Sequence, residues 1–133
     1  MTIHLSIQAD RGSLLKVSCE DLPFICKEVF TISGVPIGAT RGSHAHKLSH
    51  QFLVLVQGEV DLKIIDKSGT FLVPLRNPGD FFYLPPLTWG EETFLTQDAI
   101  LQVYTSHNYD PSDYILALSE LEDLWAADFQ KLF

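Results

Sequence analysis

Short runs of apolar residues, separated by turn residues at regular spacing, extend along most of the chain. Residues 2–9 alternate apolar Ile3, Leu5 and Ile7 with polar neighbours, which is typical of a half-buried strand. Residues 52–56 are apolar without interruption and predict a strand buried on both faces. About nine such strands predict an all-β sandwich or barrel. The other strands are predicted at 14–19, 25–32, around the histidines at 44–46, and at 59–66, 70–75, 81–84, 91–95 and 99–106.

The C-terminal part has a different pattern, and we predict a helical tail over about 111–132. Asp110 is a suitable N-cap with Pro111 at the first helical position. Ser119 and Glu122 have the spacing of a capping box. We therefore expect a short helical turn and then a helix that packs on the outside of the barrel or across a dimer contact. Its apolar stripe is predicted to be Leu121, Leu124, Trp125 and Phe129.

Length and composition favour a small globular protein. The 133 residues fit one domain, 1–133, and a hydrophobic content of 46% argues against disorder. The formal net charge of −8 argues against nucleic acid or an anionic membrane as a partner. The apolar runs have the length of strands, and the N-terminus lacks the pattern of a secretory signal. We therefore expect a cytoplasmic protein.

A cluster of histidines gives the first hypothesis about a site. Three of the five histidines, His44, His46 and His50, lie within seven residues. On an extended strand His44 and His46 point to the same face, whereas His50 faces away from its neighbour Gln51. Two imidazoles inside an apolar barrel are costly unless they are used or paired. We therefore expect His44 and His46 to be functional.

The spacing around these histidines resembles the cupin motif. Gly38, His44, His46, Gln51 and Gly58 occupy the places of a glycine, a His-x-His pair, an acid and a second glycine. Residues 78–90 resemble the second cupin segment. The resemblance implies a small single-domain cupin, a double-stranded β-helix or jelly-roll barrel, with a short C-terminal helix. The histidines would face its bowl.

Two positions depart from the metal-binding cupins. Gln51 replaces the usual acidic ligand, and Gly90 stands where a third histidine ligand is usual. Two imidazoles and one neutral amide make a poor site for zinc, iron or manganese. We therefore expect no bound metal.

A closer resemblance extends over nearly the whole chain. The segments Arg41-Gly-Ser-His-Ala-His-Lys47 and Tyr109-Asp-Pro-Ser-Asp-Tyr-Ile115 resemble the nucleotide-sugar 3,4-ketoisomerases, the WxcM-like cupins. Residues 10–14 and 22–24 match in order and spacing as well. The resemblance implies an enzyme that acts on dTDP-4-keto-6-deoxyglucose in deoxysugar biosynthesis. Neither a metal nor a redox cofactor is needed.

The chemistry of that family suits a histidine pair. Moving a carbonyl from C4 to C3 requires removal of the C3 proton, an enediol(ate), and return of a proton to C4. A neutral histidine is a natural base, because its unperturbed pKa lies near cytosolic pH. By resemblance, His44 is the base at C3 and His46 is its partner in the acid–base pair.

Further residues are predicted to bind the substrate. Basic residues can hold its diphosphate, an amide can hold a sugar hydroxyl, and aromatic rings can stack on the base or the pyranose, although core packing is an alternative for the aromatic pair. The acidic residues Glu91 and Glu92 are more typical of a solvated rim. The predicted substrate-binding residues are Arg11, Arg41, Lys47, Gln51, Tyr83 and Trp89.

Departures from the family leave alternatives open. Phe30 and Thr31 stand where relatives carry two tyrosines, and phenylalanine has no exchangeable proton. One alternative is a nucleotide-sugar epimerase, which uses the same proton abstraction without moving the carbonyl. Another is a non-catalytic cupin that binds a sugar nucleotide, and a metal-dependent oxygenase ranks third. We also expect a homodimer that buries apolar surface.

Overall fold

The structure is a computed structural model that describes residues 3–8 and 11–130, with the side chains of residues 11–128. The described part contains eleven strands, one α-helix, α1 (Leu118–Gln130), and two short 3-10 helices at Cys19–Asp21 and Pro111–Asp113. The strands are β1 (Ile3–Gln8), β2 (Gly12–Val17), β3 (Glu28–Ile32), β4 (Thr40–His46), β5 (Gln51–Gln57), β6 (Val60–Asp66), β7 (Gly69–Leu75), β8 (Phe81–Leu84), β9 (Trp89–Phe94), β10 (Ile100–Thr105) and β11 (Tyr114–Ile115).

Two antiparallel sheets enclose the main core. One has the order β3-β10-β5-β8 and the other β11-β4-β9-β6-β7, while β1 and β2 form a separate hairpin. Buried side chains from both sheets, such as Leu53 of β5 and Phe94 of β9, pack together between them. The predicted all-β class is confirmed.

Strand β5 is buried on both faces, as its uninterrupted apolar run predicts. Leu53 and Leu55 face the main core between the sheets. Phe52 and Val54 point to the other side, where Leu15 and other side chains cover them. The prediction for residues 25–32 is too long at its start, because β3 begins at Glu28. Ile25 precedes the strand and is 83% exposed.

Helix α1 packs on the outer face of the second sheet. Leu121 is fully buried in a cluster with Ala45, Trp89 and Ile115. The indole Nε1 of Trp125 donates a hydrogen bond to the carbonyl oxygen of Leu87 at 2.8 Å. This confirms the first of the two predicted positions, the outside of the barrel. The side chain of Phe129 lies outside the described residues.

The predicted helix starts are right in one case and wrong in the other. The Asp110 side chain accepts a hydrogen bond from the backbone N–H of Ser112, which caps the 3-10 helix as predicted. The capping box is wrong, because α1 begins at Leu118 and the backbone N–H of Glu120 donates to the carbonyl of Ala117. Ser119 therefore lies inside the first turn. Over residues 3–8 and 11–130, no helix has the length and apolar character required to cross a bilayer.

Candidate active site

A bulge in β4 aims the histidines into the barrel. Gly42 and Ser43 have left-handed backbone conformations, with φ of 84° and 61°, and the pairing of β4 with β9 shifts between Gly42 and His44. Beyond this bulge the strand alternates regularly, so that Ala45 faces α1 while His44 and His46 share the inner face. Their ring centroids lie 4.9 Å apart. The predicted common orientation of the pair is confirmed.

Asp113 fixes the orientation of His46. Its Oδ2 lies 3.0 Å from Nδ1 of His46, and the carboxylate also accepts the backbone N–H groups of Leu48 at 2.7 Å and Ser49 at 3.2 Å. Because the Asp113 carboxylate acts as a hydrogen-bond acceptor in all three contacts, Nδ1 of His46 must be the donor in its contact with this carboxylate. The proton of the neutral His46 ring therefore lies on Nδ1. The Nε2 of His46 is buried and has no hydrogen-bond partner among the described residues. It can therefore accept a proton from a ligand.

Both imidazoles are held in the neutral form. Burial lowers the pKa of His44 below its ordinary value, and the neighbouring His46 lowers it further. Burial also lowers the pKa of His46, although the hydrogen bond and charge of Asp113 oppose this shift. Near pH 7 both rings therefore have a free nitrogen lone pair, which is what a general base requires.

Tyr114 covers the pair from β11. It is the cross-strand neighbour of His46, and its ring centroid lies 4.8 Å from that of His44 and 4.4 Å from that of His46. Burial raises the pKa of its phenol above the ordinary value, so the hydroxyl stays protonated. Tyr114 belongs to the C-terminal motif noted in the sequence, where it was given no role in a site.

Two adjoining cavities open beside these rings. His46 lines one, of about 230 Å³, and His44 lines the other, of about 300 Å³. Phe30, Gln51 and Tyr114 line both. Together the cavities reach the volume of a small-molecule site, with polar groups at a few places on an apolar wall. Gln51 is buried here, as expected for a residue that lines the bowl.

Glu92 lies in a different environment from the one its sequence position predicts. It is 8% exposed, so the expectation of a solvated rim is wrong. The residue lines the cavity of His44, and its Oε2 has no hydrogen-bond partner among the described residues. Burial raises its pKa to about 7, with Arg41 opposing the shift. A β-carbon at Gly42 would overlap Oε2, so glycine leaves room for the carboxyl group in this position.

The structure brings some predicted substrate-binding residues to the cavities and places others elsewhere. Arg41 and Gln51 line the cavity of His44. Arg11 and Lys47 are exposed and line neither cavity. Tyr83 and Trp89 lie on the sheet faces that point away from the barrel interior, because side chains alternate between the two faces along a strand.

The register of β8 and β9 explains these two aromatic positions. Tyr83 pairs with Phe52, so it faces outward, and its hydroxyl lies 2.5 Å from Nδ1 of His50. His50 thus faces away from Gln51, as predicted. Trp89 packs beneath α1 and donates from Nε1 to the Glu91 carboxylate at 2.9 Å. For Trp89 the core-packing alternative is what the structure shows.

The side chains around the two cavities are poorly suited to bind a metal ion. Within the described ranges, 3–8 and 11–130, no group of three or more His, Cys, Asp or Glu residues is arranged to hold one. Gly90 pairs with His44 across the strands and contributes no side chain. A β-carbon added there would lie 3.1 Å from Cδ2 of Leu84.

The antiparallel barrel and its inward-facing, neutral histidines define a cupin with a site suited to proton transfer. Residues 1–125 match the family model described as FdtA: WxcM-like, C-terminal. The chain belongs to this family.

Characterised relatives agree with this assignment. The chain is 32% identical over 106 residues to TDP-4-oxo-6-deoxy-alpha-D-glucose-3,4-oxoisomerase of Aneurinibacillus thermoaerophilus. The aligned region covers 79% of this chain and 76% of that relative. It resembles the crystal structure of QdtA, a sugar 3,4-ketoisomerase from Thermoanaerobacterium thermosaccharolyticum, in complex with TDP. That similarity has a TM-score of 0.86 and 30% identity, with 96% of this chain and 93% of QdtA covered.

A second structure of QdtA is a histidine-to-asparagine mutant in complex with TDP-4-keto-6-deoxyglucose. It has a TM-score of 0.81 and 32% identity to this chain, and covers 91% of this chain and 89% of QdtA. These relatives confirm the predicted cupin fold, family and enzyme class, an isomerase.

Proposed function

We propose that this protein is a TDP-sugar 3,4-ketoisomerase that converts a TDP-4-keto-6-deoxyhexose to the 3-keto sugar. The observation that carries the proposal is the pair of neutral imidazoles that line two adjoining cavities, where the buried Nε2 of His46 has no hydrogen-bond partner among the described residues. The relatives support the substrate class, since one is named for this reaction and another was solved with such a sugar.

In the proposed reaction His44 is the base. Its ring takes the proton from C3, the electron pair of that bond forms the C3–C4 double bond, and the C4 carbonyl oxygen becomes the enol oxygen. A proton then returns to C4 as the carbonyl re-forms at C3, and the proton lost by the C3 hydroxyl is balanced by the proton gained by the C4 oxygen. His46 is the second member of the acid–base pair and lies close enough to polarise the reacting oxygens. Every step is a proton transfer, so the chemistry consumes no redox cofactor.

Asp113 acts in this proposal as a positioning residue. Its hydrogen bond keeps the proton of His46 on Nδ1 and directs Nε2 into the cavity. When the ring becomes protonated, the carboxylate stabilises the imidazolium. The backbone donors of Leu48 and Ser49 hold Asp113 in place for this role.

Two residues are proposed to bind the substrate beside the histidines. Arg41 is exposed at the edge of the His44 cavity, where its guanidinium can hold diphosphate oxygens in a bidentate manner. Gln51 presents an amide to both cavities, where it can hold a sugar hydroxyl. Arg11, Lys47, Tyr83 and Trp89 line neither cavity, so the proposal gives them no contact with the sugar.

A homodimer remains part of the proposal, as does a cytoplasmic location. Exposed apolar side chains support the dimer, namely Ile25 at 83%, Leu72 at 67% and Leu14 at 61% exposure. Light scattering on the purified protein should give about twice the chain mass of 15.0 kDa. A mass of one chain at working concentration would contradict the dimer.

The function is tested by incubating the protein with TDP-4-keto-6-deoxyglucose in deuterium oxide. A ketoisomerase gives a 3-keto product with deuterium at C4, which NMR and mass spectrometry detect. Deuterium beside an unmoved 4-keto group would instead indicate epimerisation. Binding without exchange would indicate a non-catalytic cupin, and either result would overturn the proposal.

A further inference from the structure

The Glu92 carboxyl group is buried without any structural use that the described residues reveal. Its Oε2 has no hydrogen-bond partner, and it forms no ion pair with Arg41, its cross-strand neighbour. Burial of a carboxyl oxygen in this state costs stability, since water has been removed from Oε2 and none of the described residues replaces it. Groups that are kept at such a cost are often placed to meet a ligand.

The orientation of this carboxyl group is fixed by the strand. Gly90, Glu92 and Phe94 alternate on the inner face of β9, where Phe94 is in the main core and Gly90 adjoins Leu84. Glu92 therefore faces the interior, in the cavity that it shares with His44. The neighbouring Glu91 faces outward to Trp89.

The proposed reaction requires a second proton transfer, between the two sugar oxygens, in addition to the transfer between C3 and C4. While one proton moves between C3 and C4, another must leave the C3 hydroxyl and reach the C4 oxygen. Phe30 has no exchangeable proton at the position where the resembling family carries tyrosine. Asp113 is already occupied by three donors, and the raised pKa of Tyr114 makes its phenol a poor proton donor at neutral pH. Of the described residues that line the His44 cavity, Glu92 is the one with a carboxyl group.

We infer that Glu92 is a further catalytic acid–base group, which carries a proton between the two sugar oxygens during carbonyl transfer. The inference rests on the proposed ketoisomerase function. The carboxylic acid form donates its proton to the C4 oxygen as His44 removes the C3 proton, which gives the enediol and a carboxylate. That carboxylate takes the proton of the C3 hydroxyl as the C3 carbonyl forms, while the imidazolium, after exchange of its proton with solvent, delivers a proton to C4. Both groups end in their starting states.

The surroundings of Glu92 suit this cycle. Burial raises its pKa to about 7, so both forms are accessible near neutral pH. Arg41 stabilises the carboxylate once the proton has left, and His44 is neutral at the start. The facing residue on β6 is the apolar Leu62. Across the cavity the facing groups are Phe30, Ile32, Gln51, Val103 and Tyr114.

Glu92→Gln tests this inference, because the amide keeps the shape and loses the exchangeable acid. We expect kcat at pH 7 to fall about 100-fold, the usual size of an acid–base contribution, while TDP affinity stays within about threefold. Glu91→Gln is the matched control. It alters the adjacent residue on the outer face and retains an acceptor for Trp89, so its kcat should stay at the wild-type value.

The pH profile separates a chemical role from a structural one. Wild-type kcat should fall as pH rises above about 7, because the acid form of Glu92 is lost. The residual rate of Glu92→Gln should lack this alkaline limb, whereas Glu91→Gln should keep it. A Glu92→Gln enzyme with wild-type kcat and an unchanged limb would overturn the inference.

A second variant guards against poor folding of the first. Glu92→Ala leaves space beside Gly42, and added formate should restore part of the rate. If Glu92→Ala binds TDP and turns over at the wild-type rate without formate, the inference is wrong. An inactive wild-type protein would instead contradict the proposed function, so the two failures are distinguishable.

Discussion

Glu91 and Glu92 are adjacent on β9, yet they lie in opposite environments. Glu91 faces outward, where its carboxylate accepts a hydrogen bond from Trp89 beneath α1. Glu92 faces inward, is 8% exposed, and has an oxygen without a hydrogen-bond partner in the part of the chain that the structure describes. The same contrast holds on β4, where Ala45 packs against the helix while His44 and His46 line the cavities.

The difference between the two faces indicates which polar groups stabilise the fold and which are reserved for a ligand. On the outer face both indoles have acceptors, since Trp89 binds Glu91 and Trp125 binds the carbonyl of Leu87. Among the described residues, the inner face retains two buried atoms without hydrogen-bond partners, Nε2 of His46 and Oε2 of Glu92. Buried polar groups are usually satisfied, so two exceptions beside one pair of cavities point to that face as the site.

Among substitutions on the two faces, the largest loss of kcat is expected from His44→Asn on the inner face. Loss of the base should reduce kcat about 1000-fold, while TDP affinity survives because the diphosphate contacts remain. His50→Asn is the control, since His50 lies on the opposite face against Tyr83. Steady-state kinetics and calorimetry measure both quantities. Unchanged turnover in His44→Asn would remove this residue from the mechanism.

The next effect is a pH-dependent difference in stability between wild type and Glu92→Gln. The folded-state pKa of Glu92 is raised from 4.5 to about 7. Its contribution to the free energy of unfolding is therefore fully present below pH 4.5, where the carboxyl group is protonated, and is lost as pH rises through about 7. The shift corresponds to about 3 kcal/mol. Urea denaturation at pH 5 and pH 8 should show Glu92→Gln gaining about this free energy of unfolding relative to wild type at the higher pH.

The matched substitution on the outer face sharpens this test. Glu91→Gln should show no comparable gain, since Glu91 is half-buried and hydrogen-bonded to Trp89. An equal gain in both variants would show that net charge, rather than burial of one carboxyl group, controls the pH dependence.

Asp113→Asn should have a smaller effect on catalysis. The amide no longer holds the proton of His46 on Nδ1, so kcat should fall about 30-fold. Asp113 raises the pKa of His46 against the effect of burial, so its loss should move the acid limb of the kcat/KM profile to lower pH. Rate measurements from pH 5 to pH 9 check this shift. A lower melting temperature with an unmoved acid limb would mean that Asp113 only stabilises the loop.

The smallest effect is expected from Trp89→Phe on the outer face. The variant keeps most of the packing beneath α1 and loses the hydrogen bond to Glu91, which should lower the free energy of unfolding by about 1 kcal/mol. Because Trp89 lines neither cavity, KM and kcat should not change. A several-fold rise in KM would show instead that the indole contacts the substrate.

Local alternation is the part of this fold that the sequence predicts well. The placement of His44 and His46 on one face, and of His50 opposite Gln51, follows from the two-residue period of a strand. The two-residue period alone could not predict the orientation of Glu91 and Glu92, because two adjacent acidic residues do not show which of them faces inward. Phe94, two residues after Glu92 and fully buried, is the signal that could have decided it.

Contacts between distant segments could not be predicted in the same way. The hydrogen bond between His46 and Asp113 joins residues 67 positions apart, and Tyr114 reaches the rings only because β11 pairs with β4. The chemistry of Tyr83 and Trp89 is compatible with stacking on a substrate or with core packing, whereas the register of β8 and β9 sets which way they face. Register depends on the whole sheet, so residue type alone could not decide it.

Gly42 has a left-handed backbone, and the Glu92 carboxyl group fills the space that any larger residue at this position would need. The two positions are therefore expected to evolve together. A homologue with a side chain at the equivalent of Gly42 should carry a shorter residue at the equivalent of Glu92, and a homologue that keeps this glutamate should keep the glycine. Comparing these two columns across the family would show whether selection has preserved the pair.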